Sequence, residues 1–148
     1  MASVRWGAPG LLLVVAFGGF LALSGCSWWA PAERADLRIT VTEADCARYC
    51  PERGVPTATV SVTVKVENIG TKAAEDFYVE LATHGQAAEV QVAKLDPGEE
   101  QTLTLGVGPF NSVPCPASEE LTVEVDSRND VDEDNEQNNV DHATAPCS

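Results

Sequence analysis

A run of alternating apolar and polar residues near the middle of the chain most constrains its fold. In the segment 60–66 every second residue is valine, and the residues between them are Ser61, Thr63 and Lys65. Successive side chains of a β-strand point to opposite faces, so this two-residue period places all the valines on one face. β-Branched side chains also suit strands. The segment therefore predicts a strand with one buried face.

Similar short segments follow one another along the chain from residue 36 onward, separated by turn residues such as Asp96-Pro97-Gly98. Their apolar positions are Leu37, Ile39 and Val41; Phe77, Val79 and Leu81; Val90 and Val92; Leu103, Leu105 and Val107; Leu121, Val123 and Val125; and Val140 in a last strand of about 139–144, facing inward. No segment has a helical period over a useful length. About seven short strands predict an all-β fold, an Ig-like antiparallel β-sandwich. All three tryptophans precede residue 36, so the buried tryptophan of true immunoglobulin domains is absent.

The N-terminal segment 1–25 resembles the signal peptide of a bacterial lipoprotein. Arg5 supplies a positive charge, and the apolar run 11–23 is shorter than the roughly 20 residues of a transmembrane helix. The sequence Leu-Ser-Gly-Cys that ends at Cys26 matches the lipobox of that class. The resemblance implies cleavage before Cys26, lipidation of its thiol and attachment to a membrane. Residues 26–35 then form a short stem, and 36–148 form the folded domain. An ordinary cleaved signal with an incidental Cys26 is the alternative.

Charge and missing motifs narrow the classes of function. The formal net charge is −14 at pH 7, which argues against nucleic acid as a partner. The chain has two histidines, His84 and His142, and lacks nucleophile-elbow, zinc-protease and phosphate-loop motifs. We therefore expect no catalytic residues and no enzyme activity.

Four cysteines follow Cys26: Cys46, Cys50, Cys115 and Cys147. An even number of cysteines in a small exported domain predicts two disulfides. A zinc site made by all four thiolates is the competing interpretation, but the sequence has only one closely spaced pair. Four cysteines allow three connectivities, and their spacing alone does not choose among them.

Four sequence motifs, taken in order, resemble the CARDB family of extracellular domains related to cell adhesion. They are Asp36-Leu37-Arg38-Ile39, the segment 62–70 ending in Asn68-Ile69-Gly70, the segment 95–99 with Asp96-Pro97-Gly98-Glu99, and Val125-Asp126 followed by the segment 134–139. The resemblance covers nearly all of 36–145 and implies a β-sandwich that binds or adheres. The cysteine-bearing segments 45–56 and 108–118 depart from the family pattern, and we expect them to be inserts.

Strand direction predicts how the loops are distributed. Consecutive antiparallel strands alternate in direction, so all four cysteines are expected at one end of the sandwich, called here the stapled end. The favoured pairing is Cys46–Cys147 with Cys50–Cys115, since the first and last strands are often neighbours in Ig-like folds. Cys46–Cys50 with Cys115–Cys147 remains open. The turns at 68–70 and 96–98 and the loop 126–138 are expected at the opposite end, called the acidic end, where the stem also attaches.

The loop of the acidic end contains a candidate calcium site. Asp130, Asp132, Asp134 and Asp141 occupy positions 1, 3, 5 and 12 of a calcium-loop template, with Asn135 where glycine is expected. A purely structural loop is the alternative, since asparagine and aspartate side chains cap backbone groups in such loops. Apart from possible Ca²⁺, no cofactor is expected.

These features together predict a membrane-anchored extracytoplasmic lipoprotein that carries a non-catalytic binding or adhesion module. Its expected partners are the membrane, through the lipid, and an unknown envelope protein or surface glycan. In a host with two membranes, Ser27 after the lipidated cysteine favours the outer membrane. The alternatives are a structural accessory lipoprotein of an envelope complex and a calcium-responsive module.

Overall fold

The computed structural model describes residues 32–112 and 114–148. The predicted signal peptide and Cys26 lie outside the described residues. Seven strands follow one another, with one short 3-10 turn, Glu136–Asn138, before the last. The strands are β1 (Leu37–Tyr49), β2 (Thr57–Asn68), β3 (Ala74–Thr83), β4 (Gln86–Leu95), β5 (Glu100–Asn111), β6 (Ser118–Val125) and β7 (Val140–Pro146). In the described part of the chain, no helix is long and apolar enough to cross a membrane.

The strands form two sheets, and all named strand pairs are antiparallel. One sheet has the order β1-β2-β5 and the other β4-β3-β6-β7. The predicted all-β sandwich is therefore confirmed. At its two open sides, β1 lies beside β7 and β4 lies beside β5.

The core forms where the alternating apolar faces of the two sheets meet. All four valines of 60–66 are at most 1% exposed, as their two-residue period predicts. The opposite sheet contributes a second buried set, including Phe77, Leu81 and Val123. Burial of a side chain of this size stabilises a fold by about 1.5–3 kcal/mol. The apolar residues that alternate with polar ones in the sequence thus form the core between the two sheets.

Two strands extend beyond the apolar positions that predicted them. The apolar alternation of the first strand ends at Val41, but β1 continues to Tyr49, which pairs with Thr57 of β2. A register shift between Val41 and Glu43 resets the alternation, and a β-bulge of this kind hides the continuation of the strand from a simple period. β5 likewise continues past Val107 to Asn111. Strand therefore covers 45–49 of the first cysteine-bearing segment and 108–111 and 118 of the second, and the expectation that these segments are inserts in the family pattern stays a prediction.

The predicted inward position of Val140 is wrong. Val140 is 43% exposed, whereas Ala145 on the same strand is fully buried. The inward face of β7 is formed by Asp141, Ala143 and Ala145, one residue out of phase with the expectation. A shift of one residue moves a whole strand face to the other side of a sheet.

Candidate functional site

The acidic end is organised around one buried asparagine. Asn68 ends β2 and is fully buried. Its Nδ2 donates to the backbone oxygens of Lys72 and Leu95 at 2.8 and 2.9 Å. Its Oδ1 accepts from the backbone N–H groups of Gly70 and Asp36 at 3.1 and 3.3 Å. One side chain thus ties the start of β1 to the two turns expected at this end.

A second buried polar residue of the acidic end is Glu133, 4% exposed. Its carboxylate accepts the backbone N–H of Leu37, at the start of β1, and Asn139 Nδ2 at 2.9 Å. Burial raises the pKa of Glu133 to about 7, although both hydrogen bonds favour the charged form. The nearby charges of Glu136 and Asp126 add to the rise. Glu133 therefore holds the first strand with a carboxyl group that resists ionisation.

Asp126 is the second buried acid at this end, 4% exposed and with a positive φ of 52°. Its two carboxylate oxygens accept the backbone N–H groups of Asp130 and Val131, both at 2.9 Å. This is the local capping that aspartate provides in turns. The start of the acidic loop is therefore closed on itself.

The four aspartates of the predicted calcium site are not brought together. Asp141 lies in β7, where its carboxylate accepts the backbone N–H groups of Val41 and His142, each at 2.9 Å. Asp132 faces Arg34 at 3.6 Å, and both side chains are substantially exposed. Asp130 and Asp134 are exposed. Over residues 32–112 and 114–148, no three acidic, histidine or cysteine side chains form a group that could hold a metal ion.

The stapled end contains two disulfides. Cys46 is joined to Cys147 with a Cα–Cα distance of 4.3 Å, and Cys50 to Cys115 with 5.8 Å. This is the favoured one of the two pairings considered from the sequence. The first bridge is buried, whereas Cys50 and Cys115 are exposed.

Backbone hydrogen bonds reinforce the buried bridge. Arg48 N–H donates to the oxygen of Ser148 at 3.2 Å, and Ser148 N–H donates to the oxygen of Cys46 at 3.0 Å. The end of β1 therefore pairs in parallel with the C-terminal residues, which joins the two sheets at one side.

A polar cluster beside the stapled end was not predicted from the sequence. Glu119 is 4% exposed, accepts Ser112 Oγ at 2.6 Å and bonds His84 Nε2 through its other oxygen. The His84 ring stacks on Phe110 with centroids 4.8 Å apart. Because the serine hydroxyl bonds to the carboxylate and not to the imidazole, this is not the hydrogen-bond order of a nucleophilic triad. No sequence motif marks the cluster, since its members lie on three separate loops or strands.

A shallow open groove of about 570 Å³ lies on the four-stranded sheet near His84. His142 and Thr122 line it, and their side chains contact each other at 3.1 Å between Nδ1 and Oγ1. Thr83, Glu120 and Thr144 complete its polar lining. Such a surface offers hydrogen-bond donors and acceptors to a hydroxyl-rich ligand.

Comparison with known proteins identifies the family of this chain and solved structures that share its fold. A model of the CARDB family matches residues 34–143. The crystal structure of the CARDB domain of a Pyrococcus furiosus protein, solved in complex with di-metal ions, is 23% identical with a TM-score of 0.58, and the match covers 78% of this chain and 90% of that one. A solution structure of the same domain is 24% identical with a TM-score of 0.54, over 78% and 97% of the two chains.

A further solved domain comes from a Methanosarcina acetivorans protein described as a cell surface protein. It is 26% identical with a TM-score of 0.52, and the match covers 78% of this chain and 93% of that one. No curated protein matches the chain.

The two antiparallel sheets and the tied acidic end define an Ig-like β-sandwich module. Within that class, the chain belongs to the CARDB family. The CARDB domain is a non-catalytic module of the adhesion type, and no enzyme family is indicated. The family and the two disulfides indicate an extracytoplasmic location.

Proposed function

We propose that this protein is a lipid-anchored extracytoplasmic lipoprotein whose CARDB domain binds an envelope protein or a surface glycan. The observation that carries the proposal is the CARDB match over 34–143, which begins shortly after the lipobox cysteine Cys26. The domain therefore follows its anchor after a stem of about ten residues, which spans at most about 35 Å when extended. Such a stem keeps the module close to the membrane surface.

The groove near His84 is the proposed ligand surface. It lies toward the stapled end, whereas the stem joins the acidic end at the start of β1. Its histidine, threonine and glutamate side chains suit the hydroxyl groups of a glycan. An exposed concave polar surface on a rigid sandwich is a common arrangement for recognition.

The anchor is tested by growing cells that express the full chain with labelled palmitate. We expect label on the wild-type protein, recovery in the membrane fraction and a lipid-modified N-terminal peptide that begins at Cys26. The matched control is Cys26→Ala, which should be unlabelled and uncleaved at that position. Label that persists in Cys26→Ala would refute the anchor.

The binding role is tested with the detergent-solubilised full chain on arrays of envelope glycans and by cross-linking in intact cells. Glycan binding that is lost in Thr122→Ala or His142→Ala supports the module as an adhesin. One stoichiometric cross-linked protein, with no glycan binding, supports the alternative of a structural accessory lipoprotein. If the chain binds no glycan and cross-links to no protein, both roles are refuted.

A calcium-responsive module is the second candidate. It is favoured by the di-metal complex described for the P. furiosus domain and by the concentration of acidic residues in 126–141. A rise in melting temperature with millimolar Ca²⁺, reversed by chelator, would support this candidate. Replacement of Asp130, Asp132 and Asp134 by asparagine should then abolish the rise, and an unchanged melting temperature in the wild type would dismiss it.

A further inference from the structure

The edges of the two sheets differ in how their backbone groups are protected. At an edge strand, every second residue directs its N–H and C=O away from the sheet. Such groups can pair with another chain unless a proline, a bulge, a charge or a covering segment blocks them. The sandwich has four edges, β1, β5, β4 and β7.

The β1 edge is covered at several points along its length. The backbone N–H of Leu37 donates to Glu133, that of Val41 to Asp141 Oδ2 at 2.9 Å, and that of Arg48 to the oxygen of Ser148 at 3.2 Å. The acidic loop, β7 and the residues after β7 therefore use the hydrogen-bonding groups that β1 would otherwise offer to another chain.

The β5 and β7 edges contain prolines. Pro109 in β5 and Pro146 in β7 have no N–H to donate. Cys147, directly after Pro146, donates its N–H to the oxygen of Ala117 at 2.9 Å. Both edges are thus interrupted near the stapled end.

The β4 edge has no proline and, among the described residues, no covering segment, although it carries the charged side chains of Glu89 and Lys94. A two-residue turn of His84 and Gly85, with φ of 49° and 71°, joins it to β3 and pairs Thr83 with Gln86. In this register Ala87, Glu89 and Gln91 direct their backbone groups away from β3. In the described part of the chain, these three residues make no backbone hydrogen bond outside the β3–β4 pairing. All three are exposed, and β4 contains no proline.

The side chains along this edge indicate what could pair with it. Glu80 lies directly between Glu89 on β4 and Glu124 on β6, so three carboxylates stand in a row across the sheet. Like charges in directly opposed positions destabilise a sheet. Arg128 compensates Glu89 at 2.6 Å, but among the described residues Glu80 and Glu124 have no ion pair. Consistent with this, burial and the neighbouring charges of Glu80 and Asp126 raise the pKa of Glu124.

The inward side of the same edge is apolar and incompletely covered. Ala88 and Val90 pack against the core but remain partly exposed. An added strand would place alternate side chains over these two residues and the intervening ones beside Glu89. The edge therefore favours a strand that alternates apolar and basic residues.

We infer that the β4 edge accepts an extended segment of a partner protein as a fifth strand of the four-stranded sheet, with a lysine or arginine beside Glu89 and apolar residues over Ala88 and Val90. This inference goes beyond the binding role proposed above and depends neither on the anchor nor on the groove. A second copy fits poorly, because it would bring two rows of carboxylates together on chains of formal charge −14. Strand addition supplies affinity through the main chain and specificity through alternate side chains.

The probe is a seven-residue peptide of alternating valine and lysine, titrated calorimetrically into the detergent-solubilised full chain. A peptide with glutamate in place of lysine tests charge, and a peptide N-methylated at alternate residues tests backbone pairing while leaving the protein unchanged. We expect each control to bind at least about tenfold more weakly, which corresponds to about 1.4 kcal/mol. Amide resonances of Ala87, Glu89 and Gln91 should shift on binding.

Protein variants provide the complementary test. Gln91→Pro removes an outward N–H that β3 does not use, and it should weaken binding about tenfold. Glu80→Gln with Glu124→Gln should weaken binding, whereas Glu43→Gln on the other sheet should not. Equal binding of the N-methylated peptide would overturn the inference. So would an absence of binding by the valine–lysine peptide, or a dimer that Gln91→Pro dissociates, which would make a second copy the occupant.

Discussion

Replacing Glu133 by glutamine should change how the stability of the domain depends on pH. Glu133 is buried between the start of β1 and Asn139, and burial raises its pKa to about 7 from 4.5. Below pH 4.5 it is protonated in both the folded and the unfolded chain, so its contribution is fully present. As pH rises further, the unfolded chain releases the proton while the folded chain retains it until about pH 7. The free energy of unfolding therefore falls across this window and levels off above it.

The size of the effect follows from the shift in pKa. Each unit corresponds to 1.36 kcal/mol, so the rise from 4.5 to about 7 costs at most about 3 kcal/mol at pH 8. In Glu133→Gln the amide oxygen still accepts the N–H of Leu37 without a charge to bury. The new amide group can donate to Asn139 Oδ1, which has no hydrogen-bond partner among the described residues, once the Asn139 amide turns over and gives up its 3.2 Å bond to Glu136. The variant should be about 2–3 kcal/mol more stable than wild type at pH 8 and within about 1 kcal/mol of it at pH 4.

Urea denaturation between pH 4 and pH 8, with a chelator present, measures this difference. Other carboxylates titrate in the same range, so the informative quantity is the wild-type curve minus the variant curve. Glu43→Gln, an exposed change of equal charge on β1, is the matched control and should run parallel to wild type. Parallel wild-type and Glu133→Gln curves, or a less stable variant at pH 8, would refute the argument that burial of this carboxyl group opposes its ionisation.

Three further changes test the two ends of the sandwich, each by urea denaturation. Removing the buried bridge with Cys46→Ala and Cys147→Ala opens a loop of 101 residues and should cost about 4–5 kcal/mol, and peptide mapping without reductant should recover this pair from the wild type. Asn68→Ala leaves four backbone groups without their partner and should cost about 2–4 kcal/mol. Gly70→Ala places a Cβ 2.5 Å from the oxygen of Arg34, so it should destabilise more than Gly98→Ala, where nothing lies within 4 Å of the added atom.

Local patterns were sufficient to predict most of the strands. The valines of 60–66 and the apolar faces around Phe77 and Val123 are buried as their alternation predicts, because one buried face imposes a two-residue period directly on the sequence. The direction of successive strands was also sufficient to place the cysteines at one end and the acidic loop at the other. These features depend on neighbours in sequence or on chain direction alone.

The errors arise where distant contacts set the phase of a strand. Nothing in the sequence of β1 marks the shift between Val41 and Glu43. The phase of β7 is fixed by the bond from the Val41 N–H to Asp141, which lies 100 residues away in sequence. Val140 then faces outward although an apolar valine side chain favours burial. Tertiary hydrogen bonding overrides local preference at such positions.

The acidic loop presented the same difficulty for the candidate site. Its carboxylates look alike in sequence, but the structure divides them by what they accept. Glu133, Asp126 and Asp141 are internal caps for backbone N–H groups. Asp130 and Asp134 remain at the surface. Spacing on a calcium template cannot separate these two roles, since the decisive partners come from β1 and from the backbone of the loop itself.

This division of the carboxylates bears on which side of the sandwich is open to a partner. Glu133 and Asp141 accept N–H groups at the β1 edge, so part of the acidic character of the chain closes that edge. Glu80 and Glu124 lie on the outer face of the other sheet, where no backbone group of the described residues uses them. Carboxyl groups therefore protect one edge by accepting its N–H groups, whereas the negative charge beside β4 would attract a basic strand. Closing β1 while leaving β4 free would direct association to β4 and away from β1.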